Sequence, residues 1–278
     1  MNTFELAPPQ DDELFTADVG IWSQQKHHFL RRYLHAFIVA MREKRWDSLH
    51  YIDMFAGAGI ERVVDDDKQP VGLDWGSPLI AAQLPHKFTR LHLVEKEQKR
   101  FDALKLRLAR FQRPDESQLI CGDANKVVDE VVDAIPPGSL SLAFLDPFGL
   151  HLHLATIRQI ARRQVDLIIF FPDHLDLLRN WKLYFDDPDS NLDMVLGDAP
   201  WREAMKRSDP NSRPDMATRL YRQQLQKLGY THFEYERISR TGGRFLYKLI
   251  FCSKAEIGAT IWRNVAKMKP DGQTSFGF

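Results

Sequence analysis

The sequence predicts an α/β protein. Its centre is a doubly wound, mostly parallel sheet of Rossmann-like type, with an antiparallel C-terminal hairpin and a helical segment in front. Three observations carry this. Short apolar runs alternate with helix-periodic segments in β-α-β order from Leu49 to Phe171. Several of these runs carry apolar residues on both faces rather than only at every second residue, as expected for strands covered on both sides. Beyond them, Phe233 to Ile238 and Arg244 to Ser253 form two strand-like runs joined only by a short link at Gly242-Gly243, which pairs them as a hairpin.

The elements follow in order. The first twenty residues are rich in Pro and acid and are expected to run loosely over the surface. Ser23 to Arg45 is helical, with Phe29, Leu30, Tyr33, Leu34, Phe37, Ile38 and Met41 on one face. The opposite face carries Lys26, Arg31, Arg32, Arg42, Lys44 and Arg45 and reads as solvated. Leu49 to Phe55 is the first strand of the sheet. Ile60 to Trp75 is polar, contains Asp65-Asp66-Asp67 and reads as a loop. Ser77 is placed to cap the next helix, with Pro78 at its first position.

Leu91 to Val94 is a strand ending at Glu95. Gln98 to Phe111 is a helix whose basic residues, Arg100, Arg107 and Arg110 among them, are expected to face solvent. Gln118 to Cys121 is a strand ending at Gly122-Asp123, and Val127 to Ile135 is a helix stopped by Pro136-Pro137-Gly138. Leu140 to Leu145 is a wholly buried strand ending at Asp146-Pro147. Thr156 to Arg163 is helical, and Val165 to Phe171 is a strand ending at Pro172-Asp173. Residues 1–48 thus form an N-terminal helical segment and 49–278 the sheet domain, with an insertion at about 173–213. Trp181, Tyr184 and Trp201 in that insertion make either a satellite core or a lid.

Composition narrows the class of protein. Lys+Arg and Asp+Glu both number 38, so a coat-like nucleic-acid binder is disfavoured while a local basic face stays open. No apolar run approaches the ~20 residues of a membrane span, and Met1 to Gln10 lacks the layout of a signal peptide. Cys121 and Cys252 lie far apart, which disfavours a disulfide framework or a zinc ribbon. The expected setting is the cytoplasm.

In a doubly wound sheet the ligand sits at the carboxyl ends of the strands. Here those ends carry Asp53-Met54-Phe55-Ala56-Gly57-Ala58-Gly59, Glu95, Asp123 and Asp146-Pro147-Phe148-Gly149. Gly57 and Gly59 let the backbone turn and approach a ligand closely. Glu95 can accept from two ribose hydroxyls, and Asp123 from an adenine amine. Together with Asp53 and Phe55 these residues suit S-adenosylmethionine. A nicotinamide dinucleotide is disfavoured: Arg62 stands where its fingerprint needs a third Gly, and the next helix is delayed to Ser77, leaving a pyrophosphate no helix end.

At these residues the chain resembles class I S-adenosylmethionine-dependent methyltransferases, and more narrowly the three-Cys-motif partner protein family. The likeness rests on Trp22 with Lys26, on Tyr51 to Gly59, on Gly76-Ser77-Pro78-Leu79, on Phe144 to Gly149, on Asp166 to Pro172 and on Lys248 to Lys254. It spans nearly the whole chain. It implies a methyltransferase-like fold and a partner bearing a three-cysteine motif, a radical-S-adenosylmethionine-like, iron–sulfur protein. Asp146-Pro147-Phe148-Gly149 also resembles the D-P-P-Y signature of amino methyltransferases. There the acid and neighbouring carbonyls accept from the target amine and an aromatic ring stacks on the base, so catalysis is mainly orientation. The second Pro is missing here and the aromatic comes one position early. A plain turn with Phe148 in the core is the structural alternative.

The catalytic candidates are therefore Asp146, Pro147 and Phe148. Lys26, His151 and His174 are candidate substrate contacts, with His174 at the fifth strand end. His151-Leu152-His153 has no third ligand in view, so no metal is expected. The expected activity is methyl transfer to nitrogen on a nucleic acid or modified nucleotide. The alternatives are a non-catalytic scaffold for the iron–sulfur partner, and a nucleotide-binding enzyme of other chemistry such as a nuclease.

Overall fold

The computed structural model describes residues 4–111, 116–197, 200–240 and 245–268. The chain runs β1 (Ala17–Gly20), α1 (Ser23–Met41), β2 (Leu49–Asp53), β3 (Ile60–Val64), β4 (Pro70–Trp75), α2 (Ser77–Ala82), β5 (Arg90–Glu95), α3 (Gln98–Leu108), β6 (Ser117–Cys121) and α4 (Ala124–Asp133). It continues through β7 (Leu140–Leu145), α5 (Leu154–Ile160), β8 (Gln164–Phe171), α6 (Leu175–Arg179), α7 (Trp181–Asp186), α8 (Asn191–Leu196), α9 (Trp201–Lys206), α10 (Arg213–Lys227), β9 (His232–Ser239), β10 (Phe245–Ser253) and α11 (Glu256–Ala266).

Seven strands make one sheet in the order β6-β5-β2-β7-β8-β10-β9. The first five are parallel, and β10 runs antiparallel to both β8 and β9. The expected α/β class and terminal hairpin are both present. The Gly242-Gly243 link lies outside the described residues. The order of winding reverses between β2 and β7, so a crevice opens at their carboxyl ends. Asp53 pairs with Phe144 in register there, bringing the glycine turn after β2 beside Asp146.

Both faces of the sheet are covered, which is why the central strands carry apolar residues on both faces. Tyr51, Leu142 and Phe144 pack on one side with α1, α2 and α11. Ile52, Ala143 and Leu145 pack on the other with α4, α5 and the helices between β8 and β9. Trp181, Tyr184 and Trp201 belong to this second side. Trp201 is fully buried edge-on to Trp181, so the trio is packed core. Near the opposite ends of the strands a buried chain crosses the sheet, from Ser139 through Ser48, His50 and His92 to Gln118. Burial first, with the charges nearby, holds both histidines down at about 4, so they remain neutral there.

Several expectations are corrected. Ile60 to Trp75 is not a loop but a hairpin, β3 against β4, with β1 parallel on its other edge. The acidic run is its turn: the Asp65 carboxylate accepts from Asp67 N (3.0 Å) and Gln69 N (2.8 Å). Strands so short, and polar on one face, lack the apolar run that marks the main sheet. The N-terminus does not run loosely either, because β1 joins this hairpin and Asp12 grips Arg107.

Arg107 is fully buried rather than solvent-facing. Its guanidinium donates to both Asp12 oxygens (2.7 and 3.0 Å) and to the carbonyls of Phe15 (2.9 Å) and Ala58 (2.8 Å). Ser77 does not cap α2; Gly76 stands at the cap, and the Ser77 hydroxyl donates to Asp53 at 2.6 Å. Two helices, α10 and α11, were not expected from the sequence pattern. α1 ends at Met41 rather than Arg45.

Candidate active site at the reversal point of the sheet

The glycine turn is built by its backbone. Gly57 and Gly59 have φ of +65° and +85°, a region that favours residues without Cβ. A Cβ on Gly59 would come within 2.9 Å of Leu79, whereas one on Gly57 would meet nothing within 4 Å. Gly57 therefore faces open space. The β3–β4 hairpin loops out of the turn and returns, so that Gly76 N donates to Gly59 O at 2.8 Å. The start of α2 thus lies beside the turn, and the expectation that no helix end would be near fails. What disfavours a pyrophosphate is charge instead. The Gly57 N–H already donates to Glu95 Oε2 at 2.8 Å, and a second anion there would be repelled.

Glu95 is buried and lines a cavity of about 580 Å³ together with Phe55, Lys96, Asp123 and Asn125. Its other oxygen accepts from Glu97 N at 2.7 Å. The carboxylate thus latches the glycine turn to the end of β5, with further lone pairs on each oxygen. Asp123 caps α4, accepting from Asn125 N at 3.0 Å, and takes an ion pair from Lys96 at 2.9 Å. The Lys96 hydrogen bond is the main cause of its lowered pKa. Asp53 is fully buried beneath the turn, where Tyr51, Ser77 and Phe55 N donate to it. Burial pushes its pKa up to about 7 against those three bonds, and the neighbouring Asp146 adds to the rise.

A second cavity, of about 630 Å³, lies alongside. Phe55, Arg100, Asp146 and Phe148 line both, so Asp146 stands where the two meet. Gly57, Pro147, Trp22, Phe170 and Tyr247 line the second. Lys26 is not on a solvated face: it is buried, and its ammonium lies 2.5 Å from Asp146 Oδ2. Burial opposes its charge, but Asp146, Glu61 and Asp53 outweigh burial and push its pKa up to about 12.

The turn after β7 is capped by another acid. Leu150 N donates to Asp176 Oδ2 at 2.7 Å, which leaves Asp146 free of that task. Nor is Phe148 in the core. It is 77% exposed on the rim shared by the cavities. His151 lines the first cavity. His174 does not line either; it turns toward Asp173 (3.3 Å) and packs edge-on to Phe245.

The structure brings together Phe55, Gly57, Glu95, Asp123, Asp146, Pro147, Phe148, Lys26 and His151. Other lining residues were missed, among them Arg100, Glu61 and Tyr247. Glu61 was hidden by reading its strand as a loop. Tyr247 sits in an apolar run with no local mark of function.

No family model and no curated protein matches the chain. Among solved structures, it is similar to a Legionella pneumophila protein of family DUF519, at 12% identity and a TM-score of 0.52. That match covers 89% of this chain and 93% of the other. An O-methyltransferase from Bacillus cereus, solved with SAH, aligns at 12% identity and TM-score 0.46, covering 87% and 85%. The O-methyltransferase TomG from Streptomyces achromogenes, solved with SAM, aligns at 14% and 0.45, covering 83% and 80%. The likeness to the Legionella protein is one of fold, a mixed α/β chain around a large, mostly parallel sheet.

Glu95→Ala is expected to weaken S-adenosylhomocysteine binding at least about tenfold. It removes the acceptor proposed for the ribose hydroxyls, about 1.5–3 kcal/mol for each charge-assisted bond, and also unlatches Gly57. Isothermal calorimetry checks this; an unchanged dissociation constant would mean that Glu95 has another role.

Proposed function

We propose that the protein transfers a methyl group from S-adenosylmethionine to a nitrogen atom of a nucleic acid or modified nucleotide. One observation carries the reading. Asp146 lies where two cavities meet, one walled by Glu95 and Asp123, the other by aromatic rings. The donor set fits the cofactor. Acids stand at the ends of β5 and β6 for ribose and adenine, and Gly57 leaves open the space a Cβ would fill.

When bound, the cofactor supplies an electrophilic methyl group on a sulfonium. The chain's own task is orientation. Asp146 Oδ2 is held by Lys26, while Oδ1 has no protein partner among the described residues. That oxygen accepts from the target amine and turns its lone pair toward the methyl donor. Phe148 lies exposed beside it to stack on the target ring, and Pro147 lines the same wall. Lys26 holds Asp146 fixed.

S-adenosylhomocysteine is expected to bind and to raise the melting temperature, because a ligand selective for the folded state stabilises it by mass action. Calorimetry without heat of binding at millimolar ligand would overturn the reading.

A further inference from the structure

Among the described residues, Phe55, Arg100, Asp146 and Phe148 line both cavities. Arg100 is the cation of this group, and the proposed reaction gives it no task. It stands on the first turn of α3, which begins directly beyond Glu95 at the end of β5. One strand-to-helix junction therefore presents both the acid assigned to ribose and a guanidinium. The Arg100 side chain is only 28% exposed, so it lies along the wall rather than out in water. Its Nε is 2.8 Å from Glu97 Oε2, and its two Nη groups have no hydrogen-bond partner among the described residues. Glu97 is half exposed, and such a surface pair contributes little by itself. It orients the guanidinium and leaves the Nη groups free to donate.

Other cations near the cavities are committed or lie to one side. Lys96 serves Asp123 at 2.9 Å, Lys26 serves Asp146 at 2.5 Å, and Arg240 faces Asp66 at 3.6 Å. Lys68, Lys126 and Arg179 each line one cavity only. The junction itself is acidic, with Glu95 and Asp146 on its walls and the Gly57 N–H already given to Glu95. An anion entering there is repelled unless a cation faces it. S-adenosylmethionine brings such an anion. With its ribose at Glu95 and its methyl group directed at Asp146, its sulfur lies between the two. The amino-acid arm leaves that sulfur and ends in an ammonium and a carboxylate. The ammonium finds acids at the junction; the carboxylate finds Arg100.

We propose that Arg100 pairs with the amino-acid carboxylate of the cofactor and so selects ligands that carry one. The inference rests on the cofactor reading and adds an anchor for the cofactor's far end. A guanidinium fork offers a carboxylate two parallel N–H bonds. With ribose held on one side and the carboxylate on the other, the sulfur between them is fixed, which serves a reaction that depends on orientation.

The test compares S-adenosylhomocysteine with its decarboxylated analogue, which keeps the ammonium, by calorimetry. The wild-type protein is expected to bind S-adenosylhomocysteine at least about tenfold more tightly than the analogue. Arg100→Ala is expected to remove that preference, weakening S-adenosylhomocysteine about ten- to a hundredfold and leaving the analogue unchanged. Arg100→Lys recovers part of the loss, because an ammonium is a point charge without the fork. The wild-type comparison needs no variant, so it decides the matter even if Arg100→Ala folds poorly. Equal wild-type affinity for the two ligands overturns the assignment while the cofactor reading stands. So does an Arg100→Ala protein that weakens both ligands alike, or that binds S-adenosylhomocysteine as the wild-type protein does. Failure of the wild-type protein to bind either ligand overturns the reading beneath.

Discussion

Asp146→Asn is expected to bind S-adenosylhomocysteine about as well as the wild-type protein while methyl transfer falls about 10²- to 10³-fold, the effect of removing one preorganised polar contact at a reacting centre. The substitution keeps shape and one acceptor oxygen but removes the carboxylate proposed to face the target amine. It also strips Lys26 of its ion pair. That ammonium is only 7% exposed, and Glu61 and Asp53 are the carboxylates left near it. A stability loss of about 1.5–3 kcal/mol accompanies the change. The measurements are calorimetry for the cofactor product, thermal unfolding, and methyl transfer from labelled donor to an acceptor the wild-type protein modifies. Full turnover in a variant that has lost only stability would assign Asp146 to holding Lys26. The rival task of capping the turn is already filled by Asp176.

Arg107→Ala is expected to cost about 3–5 kcal/mol, because removing one partner of a buried pair strands the other together with the carbonyls it served. Here the carbonyls of Phe15 and Ala58 lose their donor, and Asp12 is left with Arg110 and Leu14 N. Ala58 lies between the two glycines of the turn, so S-adenosylhomocysteine affinity falls with stability. Arg107→Lys recovers little, since an ammonium cannot span both Asp12 oxygens and two carbonyls in one plane. The pair also leaves a mark in acid. Chiefly through the Arg107 hydrogen bond, and against burial, the Asp12 pKa is lowered from 3.8 to about 2. Below 3.8 the unfolded chain takes up a proton that the folded chain declines. The contribution is therefore complete above pH 3.8 and is lost as pH falls to about 2. Chemical denaturation at pH 7 and across that window checks both effects. A variant that unfolds like the wild-type protein would mean the N-terminal segment is held by β1 alone.

Much of this protein is legible in the order of its residues. The parallel strands, their apolar content and the terminal hairpin follow from burial on two faces, which leaves period and composition as a visible mark. Gly57, Glu95, Asp123 and Asp146 could be picked out because a strand that ends in an acid or a glycine puts it at one edge of the sheet. What those acids touch could not be read. Lys26 looks like any residue on a basic helix face until α1 packs across the sheet and lays it on Asp146, 120 positions away. Arg107 looks solvated until the N-terminal segment folds back over α3. Glu61 and Tyr247 share a cavity wall only because a hairpin between β2 and α2 and a strand near the C-terminus converge on it. Local sequence determines which residues can form a strand and what stands at its end. Which charges meet, and which hydroxyl is left without a partner, depends on contacts between distant segments, and only the tertiary structure decides those.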